Sequence, residues 1–69
     1  MDEIRIQVNG RERDVPAGTS AAVLLRDLGL DGRAIVVELN RQIVRLPEIE
    51  SVRFEAGDRV ELVHFVGGG

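Results

Sequence analysis

The chain has no cysteine, no lysine, no tryptophan and no tyrosine, and only one histidine and two phenylalanines among its 69 residues. Each absence closes a route. Without cysteine there is no disulfide staple, no thiolate nucleophile and no sulfur ligand for a metal. A lone histidine, His64, is more often structural or solvent-facing than catalytic, and it cannot form a histidine metal cluster. Phe54 and Phe65 are the only aromatics, too few for the stacking platform that binds single-stranded nucleic acid. No apolar run approaches the roughly 20 residues of a membrane-spanning helix. Met1-Asp2-Glu3 opens acidic, unlike a signal peptide, so the expected compartment is the cytoplasm.

Positive charge comes from arginine alone, nine residues against twelve acidic ones, for a net charge of −3. The arginines are scattered from Arg5 to Arg59, whereas nucleic acid calls for a basic stripe. Neither nucleic acid nor membrane is expected as a partner. Glu48, Glu50 and Glu55 read as a solvated loop face, without metal-ligand spacing. Ser20 and Ser51 stand in no motif that would activate a hydroxyl. Gly29-Leu30-Asp31-Gly32 is a helix stop without phosphate-loop spacing. No catalytic residue and no metal site emerge.

What is present is a regular pattern. One domain of this length buries only about 60% of its unfolded surface, so its stability must come from an economical fold. Ile4, Ile6 and Val8 alternate with polar residues as in a half-buried strand. Asn9-Gly10 suits a type I′ hairpin turn, whose two central residues need positive φ. Arg11 to Val15 is the return strand, ended by Pro16-Ala17-Gly18. Thr19 or Ser20 can cap a helix. Ala21, Leu24, Leu25 and Leu28 then fall on one face, and Gly29 stops the helix after nine or ten residues.

Ala34 to Leu39 reads as a more buried strand, Asn40-Arg41 as a tight break and Gln42 to Val44 as a short return. Residues 46–57 are weakly specified: Pro47 forbids a central strand, while Ile49, Val52 and Phe54 are expected to turn toward the core. Ala56-Gly57-Asp58 is a turn, and Arg59 to Phe65 is the last strand. The order strand, strand, helix, strand, strand predicts an α+β, ubiquitin-like β-grasp, a mixed sheet under one covering helix. Its first and last strands pair in parallel at the centre, because the intervening helix supplies the long crossover.

In the last strand Val60, Leu62 and His64 point one way, and Glu61, Val63 and Phe65 the other. Val60 and Leu62 belong under the helix. Val63 and Phe65 then lie on the uncovered face, where they form a partner surface, or loop 46–57 folds over them through Ile49 or Phe54. Residues 1–65 make the body and residues 66–69 a flexible glycine tail. Val66-Gly67-Gly68-Gly69 spans up to about 13–14 Å when extended, slender enough to thread an active-site channel that any Cβ would block. A disordered end or a cloning scar is the plain alternative. A terminal carboxylate, with a pKa near 3.3–3.7, is an anion at neutral pH and a poor electrophile. Acyl chemistry there needs a partner to activate it.

The closing stretch Gly57-Asp58-Arg59-Val60-Glu61-Leu62-Val63-His64-Phe65-Val66-Gly67-Gly68-Gly69 resembles the end of the bacterial thiamine-pathway sulfur carrier family, called ThiS. Val8-Asn9-Gly10, Gly18-Thr19 with Leu24-Leu25, and Val37 to Val44 support the resemblance. One departure is Arg45-Leu46-Pro47, where members often follow the Ile-Val of the return strand with Pro-Arg. The resemblance implies a protein co-substrate, not an enzyme. A ubiquitin-activating-like adenylyltransferase adenylates the carboxylate of Gly69, consuming ATP, and the carrier binds no cofactor itself. A sulfur-donor relay protein then supplies the sulfur of a thiocarboxylate, which thiazole synthase uses to build the thiazole of thiamine. By the same resemblance, Val66, Gly67 and Gly68 enter the partner's active site behind Gly69; Val63 and Phe65 are inferred from their place on the uncovered face to dock. Two other readings share the fold: the small subunit of molybdopterin synthase, and a ubiquitin-like modifier conjugated to target lysines. A plain interaction module with an inert tail is the third.

Overall fold

The computed structural model describes residues 2–64. Strand β1 (Glu3–Val8) and strand β2 (Arg11–Pro16) pair antiparallel, with Ile4 opposite Val15 and Val8 opposite Arg11. Between them Asn9 and Gly10 have φ of 50° and 81°, the pair of positive angles that a two-residue hairpin requires.

Helix α1 (Ala21–Asp27) is seven residues long, shorter than the periodicity predicts. The reason is at its end. Gly29 is left-handed at φ 72°, and the N–H groups of Leu30 and Gly29 donate to the carbonyls of Leu25 and Arg26 at 2.9 and 3.0 Å. That is a Schellman motif, which takes Leu28 out of the helix proper as its cap. At the other end Ser20 is the cap, its hydroxyl accepting from the Val23 N–H at 3.2 Å.

A short 3₁₀ turn (Gly32–Ala34) precedes strand β3 (Ile35–Leu39). Asp31 caps that turn through the Arg33 N–H, and its carboxyl is held below the usual range first by hydrogen bonding from the Arg33 side chain. Asn40 and Arg41, at φ 50° and 70°, turn the chain into strand β4 (Gln42–Val44). Strand β5 (Arg59–His64) closes the fold. The sheet order is β2-β1-β5-β3-β4, with β1 and β5 parallel at the centre and the other pairs antiparallel. This is the expected β-grasp.

Segment 46–57, weakly specified by the sequence, has a definite task. It begins as a 3₁₀ turn (Leu46–Glu48), closed by the Arg45 N–H donating to the Glu48 carboxylate at 3.2 Å. Carbonyls of Val52 and Ile49 then accept from Ala21 and Ala22 at 3.3 and 3.0 Å, and the Phe54 N–H donates to Thr19 at 2.9 Å. The first N–H groups of a helix have no partner within it, so this loop and Ser20 together satisfy those of α1.

Ile49 and Phe54 are thereby drawn into the core, beside Ile6, Val15, Leu24, Leu25, Val37 and Val60. Ile6, Leu24, Val37 and Val60 are fully buried, and each such side chain is worth about 1.5–3 kcal/mol. Among the described residues no helix is long and apolar enough to cross a membrane.

Candidate functional site

Helix and loop cover only one face of the sheet, and what remains on the other face is unevenly distributed. On its β2-β1 half the Arg5 guanidinium donates to Asp14 at 2.9 Å and lies 3.7 Å from Glu12. The hydrogen bond from Arg5 holds the Asp14 carboxyl below the usual carboxylate range. This half is a solvated ionic surface.

The β5-β3-β4 half sets an apolar group beside an acidic pair, Glu38 opposite Glu61. Val63 is 51% exposed and faces Val36 directly across the β5-β3 ladder. Ile43 pairs with Glu38 on the next strand, which makes it a diagonal neighbour of Val36, within reach on the same face. Ile43 and, just beyond β4, Leu46 are 65% and 57% exposed. Val36, Ile43 and Leu46 also line a shallow recess of about 300 Å³. Of the two fates open to Val63, covering by loop 46–57 does not occur, because Ile49 and Phe54 are committed to the helix side.

Val36, Ile43 and Leu46 are additions to the surface expected from sequence. Alternation could not assign Val36, since β3 is apolar at four of its five positions, Ile35-Val36-Val37-Glu38-Leu39. Only the register against β5 tells its two faces apart.

The base of the tail is set by β5. Val60 is buried and Leu62 half-buried on the helix side, as expected, and exposed His64 pairs with Ile35. Two asparagines bracket the strand. The Asn40 side-chain carbonyl accepts from the Arg59 N–H at 2.9 Å, and that of Asn9 accepts from the Leu62 N–H at 2.8 Å. Asp58 ties the preceding turn, accepting from the Asn40 amide at 3.0 Å and from the Glu55 N–H at 2.7 Å. The remaining expected site residues, Phe65, Val66, Gly67, Gly68 and Gly69, lie outside the described residues. Among the described residues no three His, Asp or Glu side chains gather as a metal site.

The ThiS family model matches residues 6–69. The chain is 32% identical to a sulfur carrier protein ThiS of Bacillus subtilis, over 93% of this chain and 98% of that one. It is 38% identical over 66 residues to a thiazole synthase of Paramagnetospirillum magneticum and 35% identical to one of Magnetococcus marinus, and spans a fifth (20%) of the length of each. A solved structure of a thiamine biosynthesis protein (ThiS) from Geobacter metallireducens superposes with a TM-score of 0.82 at 28% identity, covering 96% of this chain and all of that one. With the β-grasp topology in place and the match running from β1 through the last glycine, the chain belongs to the ThiS family.

Proposed function

We propose that this protein is a sulfur carrier for thiamine biosynthesis, and that its working group is the carboxylate of Gly69. The observation that carries this reading is the family match through Gly67-Gly68-Gly69, joined to likeness with a named sulfur carrier along nearly its whole length. Likeness to segments of two thiazole synthases supports thiazole synthase as the acceptor partner, and favours thiamine over molybdopterin as the destination.

The chemistry needs two steps on the tail. A carboxylate oxygen of Gly69 attacks the α-phosphorus of ATP, pyrophosphate leaves, and the product is an acyl-adenylate. A sulfur nucleophile at the hydrosulfide level then adds to the carbonyl carbon, and AMP departs with the electron pair of its bond. The result is a thiocarboxylate. A persulfide donor reaches the same product if a thiol cleaves the resulting acyl disulfide. A ubiquitin-activating-like adenylyltransferase performs the first step with its own ATP, in the cytoplasm, and a sulfur-donor relay protein feeds the second.

In this reading the carrier supplies no catalyst. It supplies a thin tail, Val66 to Gly69, and an apolar grip formed by Val63, Val36 and Ile43 together with Phe65. Apolar side chains without a covering element are the ones an interface uses.

The test is ATP–pyrophosphate exchange by a cognate adenylyltransferase. The full chain should stimulate exchange, and deletion of Gly69 should abolish it while leaving thermal unfolding nearly unchanged. Exchange indifferent to the deletion would remove Gly69 from the chemistry, and a large loss of stability would make the tail structural.

A further inference from the structure

Strand β5 outruns its neighbour on one side. Its parallel ladder with β1 covers only Gln7 with Arg59 and Val8 with Val60, while on the other side the pairing with β3 continues to His64. At Asn9 the backbone turns away with φ 50°, so β1 offers no further carbonyl in line. The Leu62 N–H meets the Asn9 side-chain oxygen instead, at 2.8 Å. That atom must be the oxygen, since the facing group is a backbone donor. The Asn9 N–H meanwhile donates to the Val60 carbonyl at 2.9 Å. One residue thus holds β5 at two successive points, and Leu62 is the last place where the β1 side grips the strand.

We propose that Asn9 is a positioning residue for delivery of the tail: its side-chain carbonyl extends the parallel ladder by one bond, so that β5 is held from the β1 side as well as the β3 side close to where the tail begins. The assignment rests on the sulfur carrier reading. Gly69 lies seven positions beyond Leu62, so Leu62 is close to the root of the tail, and loosening it on the β1 side leaves that root held by β3 alone. A reacting group placed about 1 Å off its productive geometry can cost a hundredfold in rate, so a tail that must reach an activating site gains from a fixed base.

The fold supplies its own control. Asn40 has the same φ of 50°, and it grips Arg59 through both the N–H and the carbonyl, at 2.9 and 2.8 Å. Its side-chain carbonyl acts as that of Asn9 does, and its amide also donates to Asp58 at 3.0 Å, but the grip is at the start of β5, away from the tail.

The experiment compares Asn9→Gly, Asn9→Asp and Asn40→Gly in the full chain. Glycine keeps the positive φ at no steric cost and removes only the side chain, and aspartate keeps an acceptor and also tolerates that conformation. For Asn9→Gly, amide exchange at Leu62 should rise about fivefold, the value of one modest hydrogen bond, with Val37 unaffected. Its kcat/KM for ATP-dependent sulfur loading should fall about fivefold or more. Asn9→Asp should restore both readouts, and Asn40→Gly should load as the parent does even where its thermal stability falls by as much.

Four results would overturn the assignment: Leu62 staying protected in Asn9→Gly, full loading despite its deprotection, Asn9→Asp failing to restore loading, or Asn40→Gly slowing loading equally. A parent chain that is never loaded would instead bring down the sulfur carrier reading, and the assignment with it, whatever the exchange data show of the clamp.

Discussion

Val60 and Val63 are three residues apart on one strand, yet the first is 1% exposed and the second 51%. Their chemistry is identical, so the difference is purely one of position. Val60 meets the layer formed by α1 and by the loop that caps it, and Val63 meets no covering element among the described residues. The two halves of the uncovered face repeat the contrast. Beside β2 and β1 it is occupied by Arg5, Glu12 and Asp14, and beside β5, β3 and β4 by Val63, Val36 and Ile43 next to the Glu38–Glu61 pair. With one α-helix among the described residues, a domain this small covers one sheet face, and sequence then decides where apolar groups stand on the other.

The largest effect should come from the covered side. Val60→Ala removes buried methyl groups and should cost about 2 kcal/mol or more in denaturant unfolding. The partner affinity of the molecules that remain folded should hardly change. Val63→Ala should invert that result, with stability within about 0.5 kcal/mol of the parent and binding to the adenylyltransferase weakened by about 1–2 kcal/mol, roughly five- to thirtyfold. Phe65→Ala should likewise weaken binding more than folding. If titration showed unchanged affinity for both variants, the apolar group would lose its assigned role.

The smallest effect concerns the ionic half. Hydrogen bonding from Arg5 lowers the Asp14 carboxyl in the folded state. Its contribution is therefore present above the carboxyl's unfolded pKa and is lost as pH falls through the lower, folded value. Both side chains are largely solvated, so the contribution is small. Asp14→Asn should slightly flatten the loss of stability as pH falls through and below the ordinary carboxylate range, without changing partner affinity. A change in affinity would extend the docking surface across the whole face.

Much of the architecture was legible because it is written in local signals. Asn9-Gly10 specifies its turn, Ser20 and Gly29 bracket the helix, and the alternation Ile4-Ile6-Val8 names the buried side of β1. What was not legible depends on distant partners. The stop at Gly29 was readable, yet the loss of Leu28 from the helix comes from bonds between Leu30, Gly29 and the preceding turn. Ile49 and Phe54 could be expected to turn inward, but their role in satisfying the start of α1 requires knowing that residues about thirty positions apart meet. Asn9 reads as a turn residue, and its bond to Leu62, 53 positions away, has no counterpart in sequence spacing. The face of Val36 was hidden in the same way, because an apolar strand such as β3 shows its faces only through register.

The most direct measurement is the mass of the intact chain after incubation with a cognate adenylyltransferase, ATP and a sulfur donor. The sulfur carrier account predicts a gain equal to replacing one oxygen by sulfur, confined by fragmentation to Gly69 and dependent on ATP. An unchanged mass with a demonstrably active enzyme and donor, or sulfur located anywhere other than Gly69, would contradict it.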